Sequence, residues 1–90
     1  MNALAQFKME MSILEDYVNS PKLFHEELVN MAKSIRTLEG FREASEEYSV
    51  VETIAYNLQT YLKNNDAQTL SILKQNVRQF LNDTKGSVIE

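Results

Sequence analysis

The sequence predicts an all-α protein, an antiparallel up-down four-helix bundle in which residues 1–90 form a single domain. Three observations favour this fold. Apolar residues recur at spacings of three and four along four segments, short polar stretches separate these segments, and the chain has only two glycines and one proline. An all-β chain would need many more turns, which are rich in glycine and proline.

The first helix is predicted near residues 3–18, with Asn2 as its N-cap. Its apolar stripe has the rhythm of a bundle core and consists of Leu4, Phe7, Met11, Leu14 and Val18. Ser20 and Pro21 then predict the start of the next helix, because serine can cap a helix and proline suits its first position.

The second helix is predicted near residues 21–39. Its stripe consists of Phe24, Leu28, Met31, Ile35 and Leu38. Gly40 is expected directly after the helix end, where glycine is the favoured residue. Because a very short turn joins the first two helices, we expect them to form an antiparallel hairpin.

The third helix is predicted near residues 49–63, with a start as early as residue 42 left open. Residues 41–48 are either its first turns or a packed loop. Ser49 and Glu52 fit a capping box. The stripe that follows consists of Val51, Ile54, Leu58, Tyr61 and Leu62.

The fourth helix is predicted near residues 67–83, capped by Asp66 and followed by a short tail at residues 87–90. Its stripe consists of Leu70, Leu73, Val77, Phe80 and Leu81. From the four stripes together we expect six residues to be nearly buried: Phe7, Leu14, Leu28, Ile35, Leu58 and Phe80.

The composition excludes several classes of function. The absence of cysteine excludes disulfides, thiolate chemistry and cysteine-based zinc sites. A formal charge of −4 at pH 7, spread over both halves of the chain, disfavours binding to nucleic acid. No apolar run is long enough to enter a bilayer and no signal-peptide pattern is present, so we expect a cytoplasmic protein.

No constellation of residues resembles a catalytic or metal site. His25 is the only histidine, and it has no companion ligands and no phosphotransfer-type flanking sequence. Adjacent carboxylates on a helix point about 100° apart and do not share a site; these pairs are Glu15-Asp16, Glu26-Glu27 and Glu46-Glu47. The scattered arginines do not favour the cationic pocket of a chorismate-mutase-like bundle. We therefore predict no enzyme activity and no cofactor.

Tyr56 lies off the apolar stripe of its helix, where a tyrosine can anchor an interface with a partner. Tyr48 and Glu52 match the Tyr-x-x-x-Glu/Asp pattern of helical hairpins that mycobacterial-type systems export. One interpretation is therefore a helical partner module of a secretion system, either a secreted hairpin-like protein or a small chaperone.

A second interpretation comes from a family resemblance over Leu28–Leu81. Three segments carry it: Leu28–Leu38, Val50–Leu62 with its Leu58-x-x-Tyr61-Leu62 pattern, and Asp66–Leu81. Together they resemble the enterocin A-type immunity proteins of Gram-positive bacteria, which act against pediocin-like, class IIa bacteriocins. The resemblance implies a cytoplasmic binding protein that protects a producer from its own peptide.

The resemblance also implies a partner, a membrane sugar-transport permease with bound bacteriocin, recognised from inside the cell. The recognition surface would lie in the C-terminal half, and the predicted partner-binding residues are Tyr56, Ser87, Val88, Ile89 and Glu90. The sequence leaves open the cognate bacteriocin and whether the chain forms homo-oligomers.

Overall fold

A computed structural model describes the backbone of residues 2–88 and the side chains of residues 2–84. Over this range the chain is all-α, as predicted, without any strand. It contains five helices rather than four: α1 (Ala3–Asp16), α2 (Pro21–Lys33), α3 (Ile35–Glu47), α4 (Val50–Asn64) and α5 (Ala67–Val88). No helix in the described range combines the length and apolar character needed to cross a bilayer.

Two helix starts follow from side-chain caps that the sequence predicts. The Asn2 Oδ1 atom accepts a hydrogen bond of 2.7 Å from the Ala5 N–H at the start of α1. The Asp66 Oδ1 atom accepts one of 2.6 Å from the Thr69 N–H at the start of α5. Each cap satisfies a backbone donor that has no partner within its own helix.

Other helix ends form differently from the prediction. Pro21 is the first residue of α2, as expected, but Ser20 makes no side-chain cap. Ser49 precedes α4 in a helical conformation and makes no cap hydrogen bond, so the predicted capping box with Glu52 is wrong. Asn65 ends α4 in the left-handed conformation (φ 53°), which asparagine tolerates better than most residues.

The predicted second helix at residues 21–39 is wrong, because α2 ends at Lys33 and Ser34 interrupts the helical conformation. Ser34 is extended (φ −90°, ψ 122°), and its Oγ atom accepts a hydrogen bond from the Thr37 N–H at 3.3 Å. A new helix, α3, begins there and runs through Gly40, which lies inside the helix instead of after its end. Residues 41–47 complete α3, so they are neither a loop nor the first turns of α4.

The packing of α3 against α1 explains this division. Thr37, Gly40 and Ala44 are the buried residues of α3, and all three are small. A Cβ atom added at Gly40 would lie 2.5 Å from the Phe7 Cβ atom and 2.6 Å from the Ala3 carbonyl oxygen. The two helices therefore approach so closely that only glycine fits at the crossing.

The same orientation turns the large apolar residues of α3 outward. Ile35 is 73% exposed and Leu38 is 51% exposed, so the predicted burial of Ile35 is wrong. The extended conformation of Ser34 is the reason, because it resets the helical phase between α2 and α3. The stripe of α2 therefore does not continue into α3.

The core is a single cluster of apolar residues from all five helices. At its centre the Phe7 ring lies 4.7 Å from the Phe41 ring and 5.3 Å from the Phe80 ring, between centroids. The other five residues predicted to be nearly buried are confirmed as buried: Phe7, Leu14, Leu28, Leu58 and Phe80.

The helix pairing also departs from the predicted order. Helix α1 packs most extensively against α3, and α4 packs most extensively against α5. Contact between α1 and α2 is slight, so the expected hairpin is not the main pairing. The last helix also extends beyond its predicted end at residue 83, so that Ser87 and Val88 belong to α5 instead of a tail.

Candidate functional site

An apolar trough runs along the surface between α3 and α4, and we call it the α3–α4 groove. It consists of two adjoining cavities of about 290 and 380 Å³, which share Leu38, Phe41 and Ala55 in their walls. The first cavity is also lined by Ala32, Leu58, Gln59 and Leu62, and the second by Arg42, Ser45, Val51 and Glu52. The groove is therefore continuous along about three turns of helix.

The groove forms because small side chains face large ones across two antiparallel helices. The C-terminal half of α3 lies beside the start of α4, so Ser45 and Val51 line one end of the groove, and Leu38 lines both cavities at its middle. Ala55, at the middle of the α4 side, is too small to fill the gap. The result is an open trough with an apolar floor.

Large apolar side chains border this trough and remain accessible to water. Leu38 and Leu62 line it and are 51% and 37% exposed, and Ile35 lies one helical turn before Leu38 on the same side of α3. Contiguous exposed apolar residues rimmed by polar groups mark protein-binding surfaces, whereas isolated ones carry no such meaning. The arrangement can bind an apolar partner surface, and the groove offers no set of groups for catalysis.

Tyr56, the predicted anchor on α4, is 69% exposed, so it does not belong to the core. It follows Ala55 on the helix but does not line the groove. Its contact with a partner remains a prediction.

The four C-terminal residues of the predicted binding surface lie beyond the described side chains. Ser87 and Val88 lie in the backbone of α5, but their side chains lie outside the described residues. Ile89 and Glu90 lie outside the described residues altogether.

His25 has a structural partner on another helix. Its Nδ1 atom lies 2.7 Å from the hydroxyl oxygen of Tyr61, and the two rings meet edge to face with centroids 5.6 Å apart. Burial, together with the nearby Asp66 carboxylate, raises the pKa of the Tyr61 hydroxyl above its ordinary value. This hydrogen bond ties α2 to α4.

A carboxyl pair joins α1 and α2, and the sequence analysis missed it because it considered only adjacent acids. The pKa of Glu27 is raised to about 7, first by burial and then by the hydrogen bond with Glu10 and the negative charge of Glu10. A hydrogen bond with Asn30 opposes the rise. The Gln6 Nε2 atom donates to Glu10 Oε1 at 3.2 Å. Among the described residues, no group of three or more His, Cys, Asp or Glu side chains could hold a metal ion.

A third, polar cavity of about 250 Å³ lies between the start of α1 and α3. Nearby, the Glu43 carboxylate accepts a hydrogen bond of 2.9 Å from the Leu4 N–H, one of the free donors at the start of α1. An acidic group at a helix N-terminus is also favoured by the helix dipole. We interpret this region as part of the α1–α3 interface.

No family model, no curated protein and no solved structure matches this chain. The geometry of the α3–α4 groove is therefore the main basis for assigning a function. Sequence reasoning missed the groove because it assigned Leu38 and Leu62 to the core. The available signal was Ser34, a residue with N-cap character inside a predicted helix.

Proposed function

We propose that the protein is a protein-binding module that acts as a bacteriocin immunity protein in the cytoplasm. The observation that carries the binding role is the open apolar α3–α4 groove, bordered by exposed Leu38 and Leu62. The groove lies within Leu28–Leu81, the part of the chain that resembles the enterocin A-type immunity proteins. That overlap supports the specific role.

The proposal assigns no catalytic step to this chain. Only four polar residues line the groove, and they include no nucleophile paired with a base. His25 is instead engaged with Tyr61. We expect His25→Asn to leave protection intact, because the residue has no role in binding under this proposal.

The proposed partner is the membrane sugar permease with its captured bacteriocin, approached from the inner side. Such a partner presents apolar surface near the bilayer, and an apolar groove can cover such surface. The exposed Tyr56, one residue beyond the wall residue Ala55, would contact the same partner at the border of the groove. No insertion of this chain into the membrane is required.

Expression in a sensitive strain tests the proposal. The unmodified chain should protect against one pediocin-like peptide, and Leu38→Glu should abolish protection because it puts a charge in the groove wall. Leu23→Glu is the matched control, since Leu23 is 43% exposed against 51% for Leu38. Leu23 precedes Ala32 by nine residues of α2, about two and a half turns, and so faces away from the groove.

Two outcomes would contradict the proposal. Failure of the unmodified chain to neutralise any peptide of the class would remove the immunity role. Equal loss of protection by Leu38→Glu and Leu23→Glu would remove the groove as the binding site. Co-purification of a secreted protein with the chain would instead support the secretion-module interpretation.

A further inference from the structure

We propose that a second copy of this chain covers the α3–α4 groove, in a two-fold symmetric dimer in which the grooves run antiparallel. Among the described residues, the exposed large apolar side chains that line the groove are Leu38 and Leu62, and Ile35 lies one helical turn before Leu38 on α3. The other exposed large apolar side chains among the described residues do not line it: Met9, Leu23, Tyr56 and Ile72.

The middle of the groove, where the two cavities join, is lined by apolar residues. Leu38, which is 51% exposed, lies there with the small residue Ala55. A two-fold axis needs the same patch on both subunits. Because Leu38, Phe41 and Ala55 lie at the middle of the groove, an axis there would bring the two Leu38 side chains together.

The charges at the two ends of the groove have opposite sign. Lys63, in the last turn of α4, and Lys33, in the last turn of α2, lie exposed beyond the end formed by Ala32 and Leu62. Glu52, in the first turn of α4, lines the other end, and Glu46 lies exposed near the end of α3.

A two-fold rotation exchanges these ends, so Glu52 of each copy comes to lie beside Lys63 of the other. The remaining charges near the groove do not oppose this arrangement, since Glu39 and Arg42 lie between the ends along α3 and have opposite signs. Complementary rim charges fix the orientation of an interface more than its affinity. The apolar contact around Leu38 supplies the affinity.

The dimer adds regulation to the proposed function, and this one consequence rests on that function. If the groove also receives the partner, the dimer and the partner complex exclude each other. The face is small, so we expect a weak dimer that a tighter-binding partner can separate.

Light scattering coupled to size exclusion, over a concentration series, tests the dimer with the full chain. The mass should rise from that of the 10.4 kDa monomer to twice that value as concentration increases. Leu38→Glu should place two carboxylates at the axis and remove the dimer, while Leu23→Glu should dimerise as the unmodified chain does. Circular dichroism should show the same helix content in all three.

Charge reversal tests the antiparallel orientation and does not depend on the variant at Leu38. Glu52→Lys and Lys63→Glu alone should each raise the dissociation constant by about three- to ten-fold, because each puts like charges together at both ends. The double variant restores opposite charges and should return the dissociation constant to that of the unmodified chain.

A chain that stays monomeric at the highest concentration would overturn the dimer. Equal effects of Leu38→Glu and Leu23→Glu would place the interface elsewhere, and a double variant weaker than either single variant would overturn the antiparallel orientation. These results are separable from the proposed function. A monomeric chain that still confers protection contradicts only the dimer, and a dimer that confers none contradicts only the immunity role.

Discussion

The two faces of α3 pack in opposite ways. Toward α1, the helix presents Thr37, Gly40 and Ala44, and the backbones approach so closely that no Cβ atom fits at Gly40. Toward α4, it presents Leu38, which is more than half exposed in the wall of an open trough. The face with the smaller side chains is the buried one.

This contrast shows that side-chain size does not decide burial where helices cross closely. Small residues let two backbones approach, and the apolar contact is then supplied by the partner helix, here by Phe7. On the other face, Ala55 of α4 is too small to fill the space beside Leu38 and Phe41, and a trough remains. The face of α3 toward α1 therefore contributes to stability, and the face toward α4 is available for binding.

The largest expected effect compares two leucines of similar chemistry. Leu28 is almost completely buried in α2, so Leu28→Ala should lower the free energy of unfolding by about 2–5 kcal/mol. Leu38→Ala on the groove should lower it by less than about 0.5 kcal/mol. Denaturant titration gives the free energy of unfolding of both variants. A similar loss in the two would show that Leu28 and Leu38 do not differ in their contribution to stability.

Gly40→Ala probes the tight face directly. The added methyl group meets Phe7 and the Ala3 carbonyl, so we expect destabilisation of about 1–3 kcal/mol, although alanine is the better helix former. Glu39→Ala, at the exposed neighbouring position, should change stability by less than about 0.5 kcal/mol. Thermal unfolding of both variants is the measurement, and a gain in stability at Gly40 would show that the helices can separate at little cost.

The α1–α2 contact should respond to pH. Since Glu27 has a pKa of about 7 in the folded chain against 4.5 ordinarily, the folded state binds more protons between these values. Stability should therefore fall as pH rises from 5 to 8, by roughly 1 kcal/mol once solvent screening of this partly exposed group is taken into account.

Glu27→Gln should remove this pH dependence and raise stability at pH 8, because it resembles the protonated acid and ends the repulsion with Glu10. The exposed Glu26→Gln makes the same change in charge and should keep the dependence. The measurement is the free energy of unfolding of the unmodified chain, Glu27→Gln and Glu26→Gln at several pH values. An unchanged slope in Glu27→Gln would assign the effect to another group.

The smallest effect concerns Thr37, whose buried hydroxyl oxygen has no hydrogen-bond partner. Thr37→Val replaces that hydroxyl with a methyl group of similar size and should raise stability by up to about 1 kcal/mol. Thr53→Val, at an exposed position of α4, should have no comparable effect. A loss of stability in Thr37→Val would indicate that the hydroxyl is satisfied in solution.

Sequence reasoning located the elements whose signals are local. Such signals depend on neighbours within one turn, and the sequence reveals them. They include the caps at Asn2 and Asp66, the proline start of α2 and most of the buried stripe residues. The break at Ser34 depends on how α3 meets α1, which is a contact between distant segments. Helical periodicity within one segment contains no information on such a contact.

The candidate site was less predictable for the same reason. Leu38 and Leu62 have the spacing of core residues, and only the phase of α3 relative to α4 exposes them. Tyr56 was correctly placed outside the core, because its position off the stripe is a property of one helix. The carboxyl pair of Glu10 and Glu27 joins two helices and could not be found by inspecting adjacent acids.

The close crossing at Gly40 also constrains how this fold can vary during evolution. A Cβ atom at position 40 would meet the Ala3 carbonyl oxygen as well as Phe7, and a backbone carbonyl is present whatever the side chains, so no substitution on α1 makes room for it. A diverged chain that keeps this crossing should therefore retain glycine there, with small residues three before and four after it. Because large apolar positions can exchange with one another freely, this spacing of small residues is the better signature for identifying distant relatives.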